Sequence, residues 1–254
     1  MHIQKIILSC ICIVVILLLS VSRLSAEISN QTLAVLVNEN DPESIEIANY
    51  YKSVRLIPEK NIIYLNFAPN TKSLTINEFK GIEQQLNKKV PKSIQVYALA
   101  WRKPWRVGCM SITSAFSLGF SPDYCAKSCK LTKPVKYFNS LSHQSYTDFK
   151  IRPSMLLSSN SLDGVKEMIT RGVQADYTRP AGIAYLLSTS DKNRNVRAGY
   201  FSEIKKRFQK IFKVEIFKAD AIANKRDVLF YFTGRKHIKN IKKIHIYPVL
   251  LQII

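Results

Sequence analysis

What most constrains this chain is an alternation of two patterns. Short, continuous apolar runs give way, after brief polar turns, to segments whose apolar residues recur every three or four positions. Residues 32–38 form the first run, apolar on both faces of the strand they imply, as strands buried within a parallel sheet are. Asp41 and Pro42 come next. An Asp side chain can accept from the free N–H groups of a first helical turn, and Pro at the opening position loses no hydrogen bond, so a helix is expected here. Its apolar face would be Ile47, Tyr50, Tyr51 and Val54, and it should stop before Pro58.

The pattern repeats. Residues 61–67 read as a second strand, and Thr75-Ile76-Asn77-Glu78 is a capping box opening a second helix with Ile76, Phe79, Ile82, Leu86 and Val90 on one face. Residues 93–101 read as the third strand. After an interruption at 102–152, residues 153–158 read as a strand and 162–177 as a helix carrying Val165, Met168, Ile169 and Val173. Residues 182–187 form a further strand, and 195–212 a single helix facing inward through Val196, Tyr200, Ile204, Phe208 and Ile211. Two last strands fall at 214–217 and 228–232. Strand and helix alternating over short loops imply an α/β fold, with a mostly parallel, doubly wound sheet of Rossmann-like or caspase-like order. One domain over residues 27–234 is expected.

The interruption is the irregular part. It leaves the carboxyl end of the third strand, the edge where open parallel sheets place their ligands, and is too long for an ordinary connection. Residues 110–118 within it suit one short helix. Both tryptophans flank its start, in Trp101-Arg102-Lys103-Pro104-Trp105-Arg106, and Cys109, Cys125, Cys129 and His143 follow. Indoles stack on sugars and guanidinium groups pair with carboxylate or phosphate, so Trp101, Arg102, Trp105 and Arg106 form the candidate binding set. The alternative is a packed loop with solvated arginines. Cys109 with His143 is a weaker candidate for a thiol and its base. Cys-x-x-x-Cys with one distant Cys is not zinc spacing, and no metal or cofactor motif is present.

Residues 1–26 have the outline of a secretory signal peptide, with Lys5, an apolar run over 6–21 and small residues before Glu27. An uncleaved anchor is the alternative, since Leu24 is large for a peptidase site; no other membrane span is expected. Export would remove Cys10 and Cys12 and leave Cys109, Cys125 and Cys129 where disulfides form, one of the three without a partner in this chain. The chain has 38 Lys and Arg against 18 Asp and Glu, a net charge of +20. Such a surface favours anionic partners: lipid headgroups, envelope polysaccharide, and last, for an exported protein, nucleic acid. Arg235, Lys236, Lys239, Lys242 and Lys243 concentrate in a tail without an acid, over residues 235–254. The tail reads either as a final edge strand or as non-native sequence following a native end near Gly234.

Particular residues resemble a family of uncharacterised exported bacterial proteins, conserved but without an assigned reaction. They include Val35-Leu36-Val37-Asn38 with Ser44, Ala48, Tyr50 and Tyr51; Pro58 and Asn61; Trp101, Pro104, Arg106 and Val107. The resemblance continues in Cys109-Met110-Ser111-Ile112-Thr113-Ser114-Ala115-Phe116, Gly119-Phe120, Tyr124-Cys125 and Cys129. Arg152-Pro153-Ser154-Met155, Leu162-Asp163-Gly164, Gly182-Ile183-Ala184-Tyr185 and Phe230-Tyr231-Phe232-Thr233-Gly234 complete it. The resemblance implies a longer protein and hence a truncated chain; it transfers no catalytic residue. The expected function is therefore that of an exported protein binding an anionic or glycan ligand in the envelope. The alternative, by fold analogy alone, is a cysteine hydrolase of the caspase or gingipain type, inactive if truncated.

Overall fold

A computed structural model describes residues 28–126, 131–178 and 181–245. The proposed signal segment and Cys129 lie outside the described residues. Contacts divide the chain into two compact units, one ending at Lys166 and the other beginning at Glu167. The fold is α/β with mostly parallel sheets, as the alternation implies.

The first unit is built on β1 (Leu33–Asn38), every residue of which is buried. It pairs in parallel with β2 (Ile62–Leu65) on one side and β4 (Val96–Leu99) on the other. Beyond β4 lies β7 (Ser154–Leu156), also parallel, giving the order β2-β1-β4-β7. The chain leaves β1 towards β2 and later crosses back to β4, so the strand order reverses between β1 and β4.

Two helices follow their local signals. In α1 (Pro42–Arg55), Asp41 accepts from the Glu43 N–H, Pro42 opens the first turn, and Leu56 ends the helix in a left-handed conformation. Ile47 and Tyr51 are buried, while Tyr50 and Val54 are half-buried. In α2 (Ile76–Lys89), both halves of the Thr75/Glu78 capping box are formed. Phe79, Ile82 and Leu86 enter the core with Val90 packed at its margin. Ile76 departs from the expected face: at the first helical position it borders the Gly108 turn and is 40% exposed.

The interruption carries small elements of its own. β5 (Arg106–Val107) and β6 (Met110–Ser111) form a hairpin, and β5 pairs in parallel with β3 (Ser73–Leu74), a strand hidden in what reads as a loop. Met110 and Ser111 therefore belong to a strand, and the helix expected over 110–118 is α3 (Ile112–Leu118), capped by the Ser111 hydroxyl. A short α4 (Ser145–Phe149) precedes β7. α5 (Leu162–Ala175) follows it, with Val165 and Ile169 buried.

The second unit holds three parallel strands, β8 (Ile183–Ser188), β9 (Lys213–Lys218) and β10 (Val228–Thr233), in the order β10-β8-β9. One face packs Ala184, Leu186 and Val214 with Phe201. The other packs Tyr185, Leu187, Ile222 and Val228, with Ile244 at its edge. The single helix expected over 195–212 is instead a 3₁₀ segment, Val196–Tyr200, followed by α6 (Phe201–Phe208). Three residues per turn in place of 3.6 shifts the register. Phe201 takes the core position with Ile204 and Phe212 beside it, and Val196, Tyr200 and Ile211 face outward.

From the basic tail, Lys243 and His245 run beside residues 224–228. Lys243 accepts from the Asn224 N–H at 2.8 Å, the His245 N–H donates to Lys225 at 2.8 Å, and His245 accepts from Val228 at 3.3 Å. No helix among the described residues is long and apolar enough to cross a membrane.

Candidate functional site

The chain leaving β4 reaches the point where the strand order reverses, and Trp101 and Arg102 are consumed there. Trp101 has no exposed surface. Its ring meets Phe67 edge-on, centroids 5.2 Å apart, and Phe116 at 5.5 Å, while its indole N–H donates to the Pro104 carbonyl at 3.2 Å. It presents no face on which a ligand could stack.

Arg102 is equally occupied. Nη1 donates to both carboxylate oxygens of Glu43, at 3.0 and 2.9 Å, Nε to the Ser159 carbonyl at 3.2 Å and Nη2 to the Asn160 carbonyl at 2.8 Å. This guanidinium ties the end of β4 to the start of α1 and to the loop after β7. Where open sheets often hold a ligand, this one holds its own arginine. Asn38, at the end of β1, is fully buried; its N–H donates to Ser44 Oγ, and its side-chain Nδ2 has no partner among the described residues.

Trp105 and Arg106 have a different situation. The Trp105 backbone is pinned on both sides, its N–H to Lys72 and its carbonyl to the Ile112 N–H, yet the residue is 44% exposed. Arg106 begins β5, in register with Ser73 and Ser111. Strand alternation buries Val107 and turns Arg106 outward. Among the described residues no acceptor pairs with the Arg106 guanidinium. Beside it the Ser111 hydroxyl contacts those of Thr113 and Ser114, at 3.1 and 2.8 Å.

The hairpin presenting this pair is held from behind. Gly108 turns it with φ +52°, and a Cβ there would lie 3.2 Å from the Phe120 ring. Next to it, Cys109 lies within disulfide distance of Cys125, their Cα atoms 5.7 Å apart. In the bonded form Cys109 has no thiolate to offer a substrate. His143 is exposed, and no hydrogen bond joins it to Cys109 among the described residues. Nor do the described residues contain a cluster of His, Cys, Asp and Glu able to hold a metal ion.

A groove of about 240 Å³ lies between α2 and α3, two helices that the sequence announces, although no motif marks the space between them. Glu83 and Asn87 line one side, Lys150 and Arg152 another, and the buried Tyr97 also lines it. Burial holds the Glu83 carboxyl above the usual range and pushes the Tyr97 phenol up to about 12. Arg152 lies 3.2 Å above the Tyr146 ring, and its Nε donates to the Ile94 carbonyl at 2.9 Å, so it serves mainly to fasten the loop before β7. Beyond the resemblance it shares in, its sequence signal is Arg before Pro153, which favours extended backbone but names no partner.

No family model, no curated protein and no solved structure matches this chain.

Proposed function

We propose that this is an exported binding protein, related to the uncharacterised exported bacterial proteins it resembles, that holds an anionic glycan of the cell envelope on Trp105 and Arg106. The observation that carries the reading is a half-exposed indole in the residue preceding an outward guanidinium that has no partner among the described residues, on a backbone pinned from both sides. A sugar ring stacks on the indole while its carboxylate or sulfate pairs with Arg106. Little conformational entropy is lost on binding, because the hairpin is already fixed. The apolar residues 6–21, the Cys109–Cys125 pair and the net charge of +20 support export and an anionic partner.

The test is retention on immobilised heparin and polygalacturonate, with neutral dextran as control, for the unaltered chain and for Trp105→Ala and Arg106→Gln. Retention by the acidic polymers alone, weakened by each substitution, is expected. Equal retention of all three proteins would remove this site.

A further inference from the structure

The second unit exposes an apolar row that nothing in the first reading uses. Val196 and Tyr200 are each 70% exposed, Ile211 is 73% exposed and Phe208 40%. Val196 and Tyr200 belong to the 3₁₀ segment, Phe208 ends α6 with its ring stacked on Phe212, and Ile211 follows in the turn before β9, where it shares a groove with Lys205 and Lys210. Cations are interspersed with these apolar residues along the chain. Arg207 is paired with Glu203 at 2.7 Å and Lys213 with Glu215 at 2.7 Å. Arg197, Lys205, Lys206 and Lys210 have no ion-pair partner among the described residues. Lys205, Lys210 and Lys213 also line a shallow groove of about 460 Å³ beside Phe212.

An exposed apolar row calls for an apolar cover, and the charges around it select the kind. A second copy joined about a two-fold axis would set this patch against itself, cation facing cation. Nucleic acid would satisfy the cations but gain nothing from Val196 and Ile211. A bilayer with anionic headgroups supplies both chemistries in the right order, apolar at depth and negative at the rim. We propose that this face seats the second unit on a membrane rich in anionic phospholipid. Val196, Tyr200 and Ile211 enter the boundary between headgroups and acyl chains, and Lys205, Lys206 and Lys210 meet the phosphates.

Residues 6–21 are apolar enough to bring the chain to any vesicle, so the measurement must read depth at the face itself. Ile211→Trp in the full chain supplies a reporter indole, read as the difference from the unsubstituted chain on the same vesicles. The vesicles carry brominated acyl chains in phosphatidylcholine, with or without phosphatidylglycerol. Quenching is expected with phosphatidylglycerol, and its loss on neutral vesicles and in the same reporter chain bearing Lys205→Gln, Lys206→Gln and Lys210→Gln. All four positions are exposed, so the circular dichroism should not change. An unquenched reporter on anionic vesicles would overturn the proposal, as would quenching that ignores the lysines. A reporter already shielded without lipid, in a chain sedimenting as a dimer, would assign the face to a second copy.

Discussion

Two Trp-Arg dipeptides stand four residues apart in this chain, and they do opposite things. Trp101 and Arg102 close the sheet: the indole fills the core among Phe67 and Phe116, and the guanidinium binds Glu43 and two carbonyls. Trp105 and Arg106 carry the same groups at the start of a hairpin, where Trp105 is half-exposed and Arg106 exposed. Residue chemistry is therefore the same at both places, and what differs is whether the fold has already supplied a partner. A residue set reads as a site only after that supply is subtracted.

The sharpest way to break the comparison is at Trp101. Trp101→Ala should lower stability by about 3–5 kcal/mol, the scale for emptying a fully buried large ring, measured by urea unfolding. A loss no greater than that at Trp105 would mean that the two indoles are not differently placed. Reduction of the Cys109–Cys125 pair, which closes a separation of 16 residues, should cost about 3 kcal/mol at most on a chain-entropy account. Its stronger effect should fall on glycan retention, because the hairpin carrying Trp105 loses its clasp; unchanged retention after reduction would show that the clasp is not needed.

Arg102→Leu should cost about 2 kcal/mol. Much of that comes from the two carbonyls left without a donor, since the ion pair with Glu43 is partly exposed and screened. An identical loss in Glu43→Gln would instead credit the ion pair. Smaller still is the effect of Glu83. Burial raises its pKa in the folded chain above its unfolded value, so the folded form holds the proton more tightly. Its contribution to stability is complete below the ordinary glutamate range and is lost as pH rises through the folded value. Glu83→Gln should therefore flatten the pH dependence of stability just above that range; an unaltered slope would show that the groove leaves this carboxyl solvated.

Local signals carried well into the structure and long-range ones did not. The Asp41-Pro42 start and the Thr75/Glu78 box are written within four residues of chain, and both are formed. β1 was legible because an unbroken apolar run has few places to go except the middle of a sheet. By contrast, β3 is two residues long and exists only because β5 comes to lie beside it. The row from Val196 to Ile211 fits an ideal helical period, and the 3₁₀ segment that breaks the period leaves no mark in composition. At the site, the choice between Trp101 and Trp105 depends on Phe67 and Phe116, and the choice between Arg102 and Arg106 on Glu43, all brought in by tertiary structure. The groove residues Glu83 and Arg152 come from segments far apart in sequence and share no motif.

The central claim is that the first dipeptide is scaffold and the second is a binding face. Its most direct test is one paired measurement on the double variant Trp105→Ala with Arg106→Gln: urea unfolding together with heparin retention. The account predicts an unfolding free energy within about 0.5 kcal/mol of the unaltered chain, as for exposed positions, with retention lost. Retention that survives in a fully folded double variant would contradict it.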